Sequence, residues 1–142
     1  MHKDELGLDL TITLRAIGSR IIKEIRNQGI ELPGEQIHVL EVLATNKSLI
    51  QQELSDLLHK DKSAVLRIID SLEKKGLVVR VPDETDRRKK NIVITNKGIA
   101  LRDQIKGIGR KVITLNVFKD FSDEQLTAFD TFLKMIRSNL TE

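Results

Sequence analysis

Apolar residues return at three- and four-residue intervals along most of this chain, and one short stretch departs from that rhythm. Leu10, Leu14, Ile17, Ile21 and Ile25 draw a continuous stripe, which predicts a first helix ending near Asn27-Gln28-Gly29. Pro33 stands where a second helix can begin, because the first turn has no use for its missing N–H. Ile37, Leu40 and Leu43 give that helix a buried face. A short third helix is expected from Gln51 to Leu58, on Leu54, Leu57 and Leu58; Ile50, at its cap position, has no side-chain acceptor to offer. The fourth helix carries the fullest set of signals. Asp61 can cap it, Val65, Ile68, Ile69 and Leu72 form its inner face, and Lys74 and Lys75 suit the negative end of its dipole. Gly76 supplies a left-handed stop.

The rhythm then changes. LVVRV and NIVIT, both dominated by β-branched residues, flank the polar PDETDRRKK, so this region reads as a β-hairpin with a long loop. Helical spacing resumes after Thr95, a cap for a fifth helix through Leu101, Ile105, Ile108 and Val112, with Gly107 and Gly109 weakening its middle. Ser122-Asp123-Glu124-Gln125 is a capping box for a last helix striped by Leu126, Phe129, Leu133, Ile136 and Leu140. There is no internal repeat and no low-complexity linker. The expected fold class is therefore mainly α, about six helices, with a small β-hairpin wing. Three helices followed by a two-stranded basic loop is the order of a winged helix-turn-helix. In that arrangement the third helix crosses the DNA backbone, the fourth enters the major groove, and the hairpin tip reaches adjacent DNA.

Charge sharpens this picture. The net charge of +3 is modest, but its distribution is not even. From Lys60 to Lys90 there are ten Lys or Arg against six Asp or Glu, whereas from Lys119 onward three basic residues face five acidic ones. Four consecutive cations, Arg87, Arg88, Lys89 and Lys90, lie at the hairpin turn, where they repel one another and offer nothing to a core. A polyanion outside the protein resolves that repulsion, and phosphates or a narrow minor groove lie where the wing tip would reach.

The 142 residues, 39% hydrophobic and 32% charged, suffice for one domain with a real core or two small lobes. With no cysteine, disulfides, cysteine-ligated metals and thiol redox sensing are excluded, and a reducing cytosol fits. The start, MHKDELGLD, lacks the apolar centre of a signal peptide, and no apolar run approaches the ~20 residues that span a bilayer. A cytoplasmic protein with no membrane partner is expected.

The stretch DKSAVLRIIDSLEKKGLVVRVPDETDRRKKNIVITNKG resembles the MarR family of bacterial transcription regulators. LEKKGLV, then a D-x-x-D-R-R wing, then I-T-x-K-G are its specific marks, and the flanking helices agree in length and order. The resemblance implies a homodimer binding a pseudo-palindromic operator in double-stranded DNA, in the leading reading a repressor. It divides the chain into an N-terminal dimerisation helix (1–32), a winged helix DNA-binding lobe (33–96) and C-terminal dimerisation helices (97–142). By position, Asp86 would support the wing, Arg88 would enter the minor groove, and Lys62, Ser63 and Arg67 would face the major groove or its phosphates. The family also has a pocket between its dimer-forming helices and winged lobe. Here Ile37, Leu40, Ile12 and Ala16 would line it, and a small aromatic or anionic effector would be its occupant. Two positions depart from the family pattern: Leu66 stands where Thr is usual, and Ser71 where Arg is common.

Each feature has a plainer reading. A basic run is commonly a solvated loop, but one following a capped helix that ends LEKKG is better read as a wing. Lys60, Lys62, Ser63 and Arg67 read equally as an ordinary polar helix face, and Gln51 and Gln52, candidate phosphate contacts, as good helix formers. His2, His38 and His59 are scattered, so no metal site is expected. Phe118, Phe121, Phe129 and Phe132 all fall in the last quarter of the chain, where a dimer core explains Phe129 and Phe132 better than a ligand cage. No nucleophile–base pair, phosphate-cradling glycine loop or paired-carboxylate site is present, so neither an enzyme nor a cofactor is expected. Two alternatives stay beside a ligand-released regulator: a constitutive or architectural DNA binder, and a protein-interaction module.

Overall fold

The computed structural model describes residues 2–141. The chain divides into two compact units: Ile22–Ile108, and the chain's first residues up to Ile21 together with those from Gly109 onward. The elements run α1 (Lys3–Asn27), α2 (Gly34–Thr45), β1 (Leu49–Ile50), α3 (Gln51–Leu58), α4 (Lys62–Lys74), β2 (Val78–Pro82), β3 (Lys90–Ile94), α5 (Asn96–Val112), a π-helical turn (Ile113–Val117) and α6 (Asp123–Leu140). Six α-helices and a hairpin are the expected set.

Their ends follow the local chemistry of the sequence. Gly29 (φ 80°) takes the left-handed conformation that stops α1. The Pro33 carbonyl accepts from the Gln36 and Ile37 amides, at 2.9 and 3.1 Å, and opens α2. Asp61 Oδ1 accepts from the Ala64 amide at 2.7 Å, capping α4. At α6 the Ser122 Oγ and Gln125 Oε1 satisfy each other's backbone amides, at 3.1 and 2.9 Å. Ile50 makes no side-chain cap at α3; its own amide instead donates to Glu53 Oε1 at 3.1 Å.

Two elements go beyond the sequence analysis. The expected hairpin is part of a three-stranded antiparallel sheet of order β1-β3-β2, with Leu49 opposite Ile92. Two residues are too few for any periodicity, and β1 exists because burying Leu49 against β3 satisfies its backbone there. The fifth helix also runs on into the π-helical turn, whose end is held by the Phe118 amide donating to the Ile113 carbonyl at 3.0 Å.

The core belongs to the larger unit. Leu54, Val65, Ile69, Leu72 and Val78 are fully buried, and Ile25, Val39, Leu40, Leu43 and Ile92 almost so. Each such aliphatic side chain stabilises the fold by roughly 1.5–3 kcal/mol. The motif glycines and threonine tie this core to α5. Gly76 (φ 75°) turns the chain out of α4, and the Leu77 amide donates back to the Leu72 carbonyl at 3.0 Å. Thr95 then donates its amide to the Leu77 carbonyl (3.0 Å) and its hydroxyl to the Gly76 carbonyl (2.7 Å), while its Oγ1 accepts from the Gly98 amide (3.1 Å). Lys97 Nζ donates to the Lys75 carbonyl at 2.9 Å. Gly98 is required by proximity: a Cβ there would strike the Leu77 carbonyl and the Ile94 side chain. The I-T-x-K-G signature is thus a joint between the end of α4 and the start of α5.

In the terminal unit only Val112 is buried among the described residues. Phe118 packs edge-on against Phe121 and Phe129, with ring centres 5.4 and 5.7 Å apart. Leu6, Leu8, Leu10, Ile12 and Leu14 on α1, and Phe129, Phe132, Met135, Ile136 and Leu140 on α6, remain exposed.

Candidate nucleic-acid interface

Helix α4 buries Val65, Ile68, Ile69 and Leu72, so the opposite face of its first two turns presents Lys62, Ser63, Leu66 and Arg67 to solvent. Among the described residues, neither Lys62 nor Arg67 enters a side-chain ion pair. The preceding turn is tight, with His59 left-handed (φ 52°) at the end of α3. Other sequence-predicted residues are engaged within the lobe. Gln51 Nε2 donates to the Lys62 carbonyl at 3.3 Å, fastening the start of α3 to the first turn of α4. Gln52 donates to Asp56 Oδ1 at 2.9 Å. Lys60 Nζ lies 3.5 Å from Glu35 Oε2 in a solvent-exposed pair that is weak by nature.

The wing has a hub that the sequence analysis did not single out. Asp83 accepts from Thr85 Oγ1 (2.7 Å), from the Thr85 and Asp86 amides (3.2 and 3.0 Å) and from Asn91 Nδ2 (3.0 Å). Four donors favour the ionised form. The Thr85 hydroxyl foremost, then Asn91 and the backbone, hold the Asp83 carboxyl down from an ordinary 3.8 to about 2. Its signal was present in PDET, an Asp with Thr two residues on, the pattern of a side chain closing its own turn. Asp86 is the next link. Its Oδ1 accepts from the Arg88 amide at 3.1 Å and from Arg88 Nε at 3.2 Å, so it orders the backbone under Arg88 as well as its side chain. Arg88 nonetheless remains 92% exposed, and Arg87, Lys89 and Lys90 are exposed and in no ion pair among the described residues.

The wing and α4 are joined by a second residue not anticipated. Arg80, on β2, donates to Asp70 Oδ1 at 2.6 Å and to Glu73 Oε1 at 2.7 Å. Its charge interrupts LVVRV on the same strand face as buried Val78, which is why the side chain turns back onto α4. The arrangement neutralises the acids on the outer face of the later turns of α4. Exposed cations outside ion pairs thus stand at the start of that helix and along the wing tip, as well as at Lys47 and Lys74.

Between α2 and α5 lies a cavity of ≈ 340 Å³, with Ile37, Leu40 and Ile105 as its apolar wall and Glu41, Arg102 and Lys106 at its polar edge. Arg102 donates to both oxygens of Glu41, at 2.6 and 3.0 Å. That contact, foremost, holds the Glu41 carboxyl below its ordinary range and raises Arg102 further into its always-charged state. Ile37 and Leu40 line this cavity, while Ile12 and Ala16 belong to the other compact unit and are exposed. Among the described residues no cluster of three His, Asp or Glu side chains is placed to hold a metal ion. No described helix is long and apolar enough to cross a membrane.

A helix-turn-helix backed by a small sheet, with the hairpin carrying its cations outward, defines the winged helix class of DNA-binding proteins. Comparison with known proteins narrows the class. Residues 28–89 match the model of the MarR family. The HTH-type transcriptional repressor MdtR of Bacillus subtilis (strain 168) is 27% identical over 87% of this chain and 80% of its own length. Among solved structures, the YusO protein from Bacillus subtilis is 26% identical with TM-score 0.73, over 96% of this chain and 99% of that one. A MarR family protein from Bacillus stearothermophilus shares the fold end to end, with TM-score 0.80 at 24% identity over 100% of both chains. The chain thus has the winged helix fold of MarR family proteins, and its central residues match that family's model.

Proposed function

We propose that the protein acts as a homodimeric repressor in the cytoplasm. It binds a pseudo-palindromic operator and is released by a small aromatic or anionic effector. The observation that carries the reading is the placement of exposed cations on two elements of one lobe: Lys62 and Arg67 on the outer face of α4, and Arg87–Lys90 at the wing tip. The first set suits the major groove and the second an adjacent minor groove or its phosphates. Two half-sites need two linked lobes, and the uncovered apolar stripes of α1 and α6 supply a surface for a second copy. Similarity to the repressor MdtR supports the sign of regulation. The cavity between α2 and α5 has an apolar wall and a polar edge that includes Lys106, which suits an aromatic carboxylate.

The test is selection of bound fragments from genomic DNA, followed by titration of a labelled fragment against a scrambled duplex. The expected result is saturable binding to an inverted repeat, preferred by at least about a thousandfold over random DNA. Equal affinity for both duplexes would leave a non-specific DNA binder. Binding that no aromatic acid weakens would leave a constitutive regulator.

A further inference from the structure

Leu66 is the large apolar side chain on the outer face of the first two turns of α4, and it is 41% exposed. Its neighbours one turn away on that face are Lys62, Ser63 and Asp70. A single exposed leucine ordinarily needs no explanation. This one occupies the centre of the surface argued above to enter the major groove, and the polar groups around it have other work. Lysine and arginine directed at phosphates position a protein without reading sequence. Asp70, toward the far end of the face, is held by Arg80 at 2.6 Å. Leu66 has no donor or acceptor, so it cannot read a base by hydrogen bonding. The distinctive apolar feature at the floor of the major groove is the C5-methyl group of thymine.

We propose that Leu66 is a specificity-determining residue that reads one thymine in each operator half-site through contact with its methyl group. The proposal rests on the DNA-binding role of α4 set out above. It also accounts for the departure at this position: a threonine reader carries a hydroxyl with its methyl, whereas leucine reads by shape alone and rejects a base that presents only polar atoms.

The experiment uses the full chain and a duplex selected by the protein from a random pool. Each thymine is replaced in turn by deoxyuridine, which removes the methyl group and keeps every hydrogen bond. The parent should lose about four-fold in affinity per half-site at one symmetry-related pair of thymines, the effect of one buried methyl group. Leu66→Ala, which keeps helix propensity and should melt with the parent, should bind the thymine duplex as weakly as the parent binds the deoxyuridine one. It should also be indifferent to deoxyuridine at that pair alone. A parent indifferent to every replacement, or a Leu66→Ala protein as sensitive as the parent, overturns the role of Leu66 while leaving operator binding intact. A parent that selects no duplex over random DNA overturns both.

Discussion

The two compact units of this chain solve the problem of apolar surface in opposite ways. Between Ile22 and Ile108, ten large side chains are fully or almost fully buried. In the terminal unit, helices with equally regular stripes bury only Val112 among the described residues, and leave five large aliphatics of α1 exposed from Leu6 to Leu14. Periodicity is the same in both; completion is not. A stripe tells which face of a helix seeks cover, and says nothing of whether the cover lies in the same chain. It is on this uncovered apolar surface that the proposed second copy would sit.

The comparison can be broken first at the core. Leu72→Ala, at a fully buried position of α4, should cost about 2–5 kcal/mol and lower the melting temperature of the larger unit sharply. A chemically harsher change in the terminal unit should behave otherwise. Phe132→Glu alters a side chain already 59% exposed, so helix content should survive while self-association weakens by roughly tenfold or more. Sedimentation reads this directly; a variant that associates as the parent does would remove the proposed role of that stripe.

Surface changes within the lobe should spare stability and touch only binding. Arg88→Ala should cost on the order of 1–3 kcal/mol at the operator and make the salt dependence shallower, with no change in melting. Lys89→Ala should do less, weakening specific and random duplexes alike. If Arg88→Ala titrates both duplexes as the parent does, the wing is a solvated loop. The smallest effect concerns pH. Because the Asp83 carboxyl is depressed to about 2 from an ordinary 3.8, its ordering of the wing is complete above the higher value and is lost as pH falls through the lower. Protection of the amides in 83–89, taken relative to intrinsic exchange at each pH, should therefore fall on acidification below about pH 4 in the parent. In Asp83→Asn, that protection should be low and independent of pH across the range.

How far the sequence carried depended on the kind of signal. Helix ends with a chemical cause were legible: Asp61, Gly76, Thr95 and Ser122 each act where their side chains or backbone freedom suggest. β1 was not, because a two-residue strand has no period and is created by its partner Ile92. The π-helical turn after Val112 likewise follows from packing and leaves no compositional mark. In the wing, the cations drew attention because they are conspicuous in sequence. The residue that gathers the turn is Asp83, one of several acids there; PDET hints at its turn, and its four donors single it out. Arg80 was counted as one more positive charge, yet its partners Asp70 and Glu73 remove it from the surface available to a polyanion. Net charge from a sequence counts cations; which of them are free is a tertiary fact.

The joint at Thr95 has a mechanical consequence. Four hydrogen bonds within a few residues, with Gly98 pressed against the Leu77 carbonyl, leave no slack between the end of α4 and the start of α5. Gln36 grips the other side, donating to Ser71 Oγ at 3.0 Å and accepting from Lys75 Nζ at 2.8 Å, so α2 is fastened to the same end of α4. The three helices are therefore fastened to one another at one end of α4. An occupant that wedged α2 from α5 would load that joint, and with it the helix whose other end carries Lys62, Ser63 and Arg67.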